Sequence, residues 1–143
     1  MKAVLDACVL YPTVLREILI GVADAGLYTP VWSPRILAEW RHAAARLGAD
    51  AEAVAGAEIA LLTRAHAQAS VPDDGMAAEG FDWPDPADRH VAEAALAAHA
   101  PLIVTANLRD FPRRALAPLG LAAEHPDAFL LTLWRRDPDP VAA

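Results

Sequence analysis

Lys2-Ala3-Val4-Leu5-Asp6 is a short apolar run that ends on a carboxylate, and a turn with Pro12 separates it from the next apolar helix. It reads as a buried strand whose exit carries Asp6, because a continuous apolar run bounded by turn signals suits a strand covered on both faces. A second run of this kind, Leu102-Ile103-Val104, leads into Thr105-Ala106-Asn107-Leu108-Arg109-Asp110-Phe111-Pro112. In open parallel sheets, chemistry sits just beyond the carboxyl ends of the strands, so two polar exits define one crevice.

Helical patterns separate these strands. Val14, Leu15, Ile18, Leu19, Val22 and Ala23 recur at helical spacing until Gly26. Leu27 to Trp32 is a short strand candidate interrupted by Pro30. Ser33-Pro34 supplies an N-cap and a first-turn proline for a helix to about Leu47, with Ile36, Leu37, Trp40, Ala43 and Ala44 on its apolar face. An alanine-rich helix from Asp50 to Gln68, with Val54, Ala57, Leu61 and Leu62 as its apolar residues, pairs with it as a hairpin. Residues 70–84 read as a loop, Asp85-Pro86 opens a helix to about His99, and a short helical turn covers 113–118. A weak strand at Leu121 to Ala123 and a last helix from Pro126 to Arg136 follow. Strands alternating with helices imply an α/β fold, a parallel sheet with helices on both faces. Residues 1–136 form a single domain in this reading, and 137–143 a frayed tail.

The chain has 143 residues, about one domain, with 12 basic and 19 acidic side chains and a net charge of −7. That balance argues against nucleic-acid affinity built on general positive charge, though it leaves a nuclease open. One cysteine excludes an intramolecular disulfide, no apolar run is long enough to span a bilayer, and no leader pattern precedes the first strand. The expected setting is reduced and cytoplasmic, with no membrane.

Asp6, Glu39, Asp88 and Asp110 are the candidate metal ligands and catalytic acids. Mg²⁺ and Mn²⁺ take oxygen donors, and carboxylates gathered from several elements make a cradle for them that phosphate oxygens can complete. Each acid also has a structural reading. Asp6 could be a plain turn former. Glu39, at the border of an apolar helix face, could be a rim residue paired with Arg35 or His42. Asp85 and Asp88 stand at the N-cap and third position of a helix, where negative charge is favourable, yet Asp88 shares a face with Val91, Ala92 and Ala95. After the second strand, Asn107 and Asp110 compete for a fourth position, and Thr105 could orient either. Arg16, Arg109, Arg113 and Arg114 are candidate phosphate contacts, guanidinium being suited to bidentate phosphate binding. His90 and His99 are read as surface residues on an exposed helix, and Cys8 as a small packed residue beside the site.

The segments Val4 to Pro12, Trp32 to Glu39, Asp85 to Ala95 and Val104 to Pro112, in that order, resemble the PIN domain family, most closely its VapC-like branch of ribonuclease toxins. The resemblance implies a three-layer α/β/α sandwich around a central parallel sheet, metal-dependent endoribonuclease activity on an RNA substrate, and a protein antitoxin as inhibitor. It carries over Asp6, Glu39 and Asp88 as ligands, with Asp110 as the fourth, while Asn107 stands where many members have an aspartate. Products with a 5′-phosphate and a 3′-hydroxyl are expected, as is a homodimer. The rival within the same fold is a PIN-like module that binds RNA or protein without cutting.

Haloacid-dehalogenase-like hydrolases and receiver domains also place acids at strand ends, but both need a lysine in the site. Lys2, the single lysine, lies at the far end of its strand. A cysteine phosphatase would need arginine at the position that holds Val14.

Overall fold

The computed structural model describes residues 1–72, 83 and 85–136. The expected fray of 137–143, and most of the loop read over 70–84, lie outside the described residues. Four strands form one fully parallel sheet in the order β2-β1-β3-β4: β1 (Lys2–Leu5), β2 (Thr29–Val31), β3 (Leu102–Val104) and β4 (Ala122–Glu124). The registers set Val4 beside Val31 and Ile103, so the apolar run of β1 is flanked on both sides. Val4, Leu5, Ile103 and Val104 are fully buried, as continuous apolar strands in a covered parallel sheet must be. Pro30 is tolerated in β2, which pairs with β1 on one side and, among the described residues, is extended on the other by an isolated bridge between Trp32 and Ser70.

From β1 the chain passes through α1 (Ala7–Leu10) and α2 (Thr13–Asp24) to β2, then returns through α3 (Pro34–Ala45), α4 (Ala49–Ala65) and α5 (Arg89–Ala98) to β3 on the other side of β1. The direction of winding therefore reverses between β1 and β3. Right-handed crossovers running in opposite directions lay their helices on opposite faces, which gives the α/β/α sandwich. α6 (Arg113–Leu116) and α7 (Pro126–Arg136) flank β4 in the chain. Tyr28 and Phe129 lock β2's approach to α7 by an edge-on ring contact at 4.9 Å, and the Tyr28 hydroxyl donates to Leu19 O at 2.7 Å.

Ser33 caps α3 as its sequence predicts, its hydroxyl accepting from Ile36 N at 3.2 Å. α3 and α4 form the expected hairpin, but the apolar face assigned to α4 needs correction. Val54, Ala57 and Leu61 are exposed, and the residues that meet the core are Ala55, Ile59 and Leu62. α4 has two apolar stripes, and the one with i, i+4, i+7 spacing from Ala55 faces inward. α2 is offset in the same way, with Leu19 and Val22 buried while Val14 and Ile18 are exposed. On α7, Phe129 and Leu133 belong to the core, while Leu131 and Trp134 face outward. The short α1 occupies what reads in sequence as a turn.

Candidate functional site

Asp6 leaves β1 and immediately caps α1, its Oδ1 accepting from Ala7 N at 2.8 Å. Thr105 leaves β3, the neighbouring strand, and its hydroxyl donates to Asp6 Oδ2 at 2.9 Å. Both are buried, so the two strand exits are joined at the point where the winding reverses. The Thr105 hydroxyl also accepts from Asn107 N at 3.0 Å, which shapes the turn that follows. Cys8 packs beside this pair, with Sγ 3.6 Å from Asp6 Oδ2 and 3.4 Å from Thr105 Oγ1, and it accepts from Ala106 N at 3.3 Å. Burial first, and then the Asp6 charge, push the Cys8 thiol up, so it packs as a neutral group.

Asp85 and Asp88 have separate jobs. Asp85 Oδ1 accepts from Ala87 N at 2.9 Å and caps the 3₁₀ turn Pro86–Asp88. Asp88 stands at the N-cap of α5 but makes no side-chain cap hydrogen bond. Its carboxyl is pushed up to about 6, chiefly by desolvation, then by the charges of Asp110, Asp85, Asp6 and Glu39 in that order. Asp6 is raised as well: burial drives it up, the hydrogen bonds from Thr105 and Ala7 oppose this, and the Glu39 charge adds to it. Asp6, Glu39, Asp88 and Asp110, taken from four segments, therefore share one electrostatic neighbourhood. Asp110 ends the 3₁₀ turn Leu108–Asp110 and is half-buried, whereas Asn107 is exposed.

Among the described residues, no three histidine, cysteine or acidic side chains converge tightly enough to hold an ion as they stand. Both Asp6 oxygens are engaged by neighbours, and Glu39 is turned toward a histidine. Like charges without a cation also repel one another. The donor set is nevertheless all-oxygen and anionic, which suits a hard divalent cation.

Two residues differ from their sequence reading. His90 is not a surface residue: it is 1% exposed, and its Nε2 makes a close polar contact with Glu39 Oε1, though not with the alignment of a regular hydrogen bond. His99 is exposed, as expected. The signal for His90 is in its helix: α5 has no charged residue after Glu93, and seven of its residues are buried, so it has little solvent face to offer. Arg16, a candidate phosphate contact, has its guanidinium engaged inside the protein. It is buried, donates from Nη1 to Leu10 O at 2.6 Å and to Tyr11 O at 3.2 Å, pairs with Glu58, and stacks 4.6 Å over the Trp40 ring. Arg109, Arg113 and Arg114 are exposed on the segment after β3. Lys2 donates to Ala98 O at 3.1 Å from the amino end of β1, remote in register from Asp6.

A parallel sheet whose reversal point gathers acids from four segments defines a class, and a model of the PIN domain family matches residues 2–109. The chain belongs to the PIN domain family. Over 44 residues it is 54% identical to a Mycobacterium tuberculosis protein named "Putative ribonuclease VapC50". That stretch covers 31% of this chain and 26% of the relative, so the match spans about a quarter of the relative's length. No solved structure matches the chain. Among the described residues, no helix is long and apolar enough to cross a membrane.

Proposed function

We propose that this chain is a divalent-metal-dependent endoribonuclease, the toxin half of a toxin–antitoxin pair, which hydrolyses RNA phosphodiesters to 5′-phosphate and 3′-hydroxyl ends. One observation carries the reading: beside the strand exits Asp88 is partly buried and surrounded by the charges of Asp110, Asp85, Asp6 and Glu39, and burial first and then those charges raise its carboxyl to about 6. Structural ion pairs balance their charges, and an excess of one sign points to a ligand of the other. Asp6, Asp88 and Asp110 are the residues that would hold Mg²⁺ or Mn²⁺. Such an ion supplies charge neutralisation on the scissile phosphate and a more acidic water.

The chain's own groups supply orientation. Thr105 fixes the Asp6 carboxylate by its hydrogen bond, so this donor needs little ordering. Glu39 takes the role of base toward the attacking water, its carboxylate half-exposed at the rim. Arg109, Arg113 and Arg114 contact phosphates along the exit from β3, which a chain of net charge −7 needs because it has little general affinity for RNA. Residues 1–136 act as one domain, in the cytoplasm. Outward-facing Val14, Ile18, Leu47, Val54 and Leu61 on α2 and around α4 support a shared surface, for a homodimer partner and an antitoxin segment.

A second reading, a PIN module that binds RNA or protein without cutting, is favoured by the lack of three converged donors among the described residues. Cleavage of RNA separates the two. We expect cleavage that EDTA abolishes and Mn²⁺ or Mg²⁺ restores; undiminished cleavage in chelator removes the metal mechanism, and no cleavage with either ion leaves the binding module.

A further inference from the structure

Glu39 needs an anchor to act at one place. It is a long side chain on α3, 44% exposed, and an unrestrained glutamate at such a rim samples several rotamers. His90, on α5, supplies a contact. Its ring is buried, its helix α5 is packed against β1, β2 and β3, and its Nε2, in contact with Glu39 Oε1, lies two residues along the chain from Asp88. Among the described residues, neither ring nitrogen makes a regular hydrogen bond, and the Glu39 contact is the polar interaction the structure gives this imidazole.

We infer that His90 is a positioning residue, which holds the Glu39 carboxylate at the wall of the acidic crevice through Nε2. This rests on the ribonuclease reading above and deepens it by naming what sets the geometry of the proposed base. The rigid partner is the imidazole, on a helix buried on most sides, and the mobile partner is the carboxylate.

The two ring nitrogens give a specific test. In His90→Gln the side-chain amide nitrogen falls near the place of Nε2, and in His90→Asn near that of Nδ1. Both variants keep a buried polar group, so their cost to folding is similar, and melting temperatures check this. We expect His90→Gln to cleave RNA within about threefold of the unmodified protein, while His90→Asn loses about tenfold or more in kcat with KM changed less than about twofold. In a Glu39→Gln background the two should cut equally. Equal activity of Gln and Asn variants with Glu39 present, the same Asn deficit without Glu39, or a faster His90→Asn enzyme would each overturn the inference. Imidazole nitrogen NMR provides a readout independent of turnover: the His90 Nε2 signal should move on Glu39→Gln and stay in place on Arg114→Gln. An unmoved signal in a protein that cuts RNA rejects the positioning role alone, whereas a moved signal in a protein that never cuts RNA rejects the ribonuclease reading and leaves the contact intact.

Discussion

The two ends of α1 handle charge in opposite ways. At its carboxyl end, the buried Arg16 is matched on every side described: two carbonyls, the Glu58 carboxylate and the Trp40 ring. At its amino end, Asp6 meets a hydroxyl, a backbone N–H and further carboxylates, and its pKa and that of Asp88 are raised. A matched buried charge ties elements together, here α1, α2, α3 and α4, while an unmatched cluster holds free energy that proton uptake or an ion of opposite charge would release. Four apolar residues of one short helix thus separate a structural tie from a site.

The largest break in this contrast is at Asp6. Asp6→Asn removes one charge from the cluster; its one amide oxygen can still accept from Ala7 N, while the amide NH2 takes the place of the oxygen that accepts from Thr105 and can donate to that hydroxyl instead. We predict a fold at least as stable as the unmodified one and a loss of RNA cleavage of a hundredfold or more, about 3 kcal/mol of transition-state stabilisation, read as kcat/KM beside a thermal melt. Retained cleavage would remove Asp6 from the machinery.

Arg16→Met tests the other end. It should cost the fold about 2–3 kcal/mol in urea denaturation, because two carbonyls lose their donor, the Trp40 face loses its cation, and the partly exposed Glu58 must turn to water. Cleavage per folded molecule should be unchanged. If activity falls with stability intact, Arg16 contacts substrate after all.

The frame of the fold was legible in the sequence because its signals are local. The strands at 2–5 and 102–104 are apolar runs, Ser33-Pro34 announces the start of α3, and Asp6 and Asp110 follow the two strand exits. The burial of Arg16 is hidden from the sequence because its partners, Glu58 and Trp40, lie far along the chain, whereas the burial of His90 follows from the packing of α5 on the sheet, for which the uncharged run after Glu93 is the local signal. Spacing marks a face as apolar or polar, but not which of two apolar stripes turns inward, which is why Val54, Ala57 and Leu61 of α4 were assigned to the core. Likewise Asp85 and Asp88 both suit capping in sequence, where the face shared with Val91, Ala92 and Ala95 sets Asp88 apart, and the hydrogen bond from Ala87 gives the cap to Asp85.

That last distinction yields two smaller predictions. Asp88 has its pKa raised from 3.8 to about 6, so the folded state binds its proton more tightly than the unfolded chain does. Without metal, stability should therefore fall as pH rises from about 4 to about 6 and stay lowered above that. In Asp88→Asn this loss should be absent, making the variant more stable than the unmodified protein at pH 7 by about 1 kcal/mol, an amount already reduced for screening by water. Parallel pH–urea titrations compare them, and identical pH profiles would show that Asp88 feels no unmatched charge. Asp85→Ala should instead destabilise by about 0.5–1 kcal/mol through loss of the cap, with cleavage kept, as denaturation and rate assays on one preparation would show.

The most direct test of the central claim, that the unmatched acids form a divalent cation site, is the melting temperature with and without Mn²⁺ for the unmodified protein and Asp88→Asn at neutral pH. A ligand that binds only the folded state must raise its stability. The account predicts that Mn²⁺ raises the melting temperature of the unmodified protein by several degrees while the variant, more stable at the outset, gains little or nothing and does not cut RNA. An unmodified protein indifferent to Mn²⁺, or a variant that keeps both the metal-induced rise and the cleavage, would contradict it.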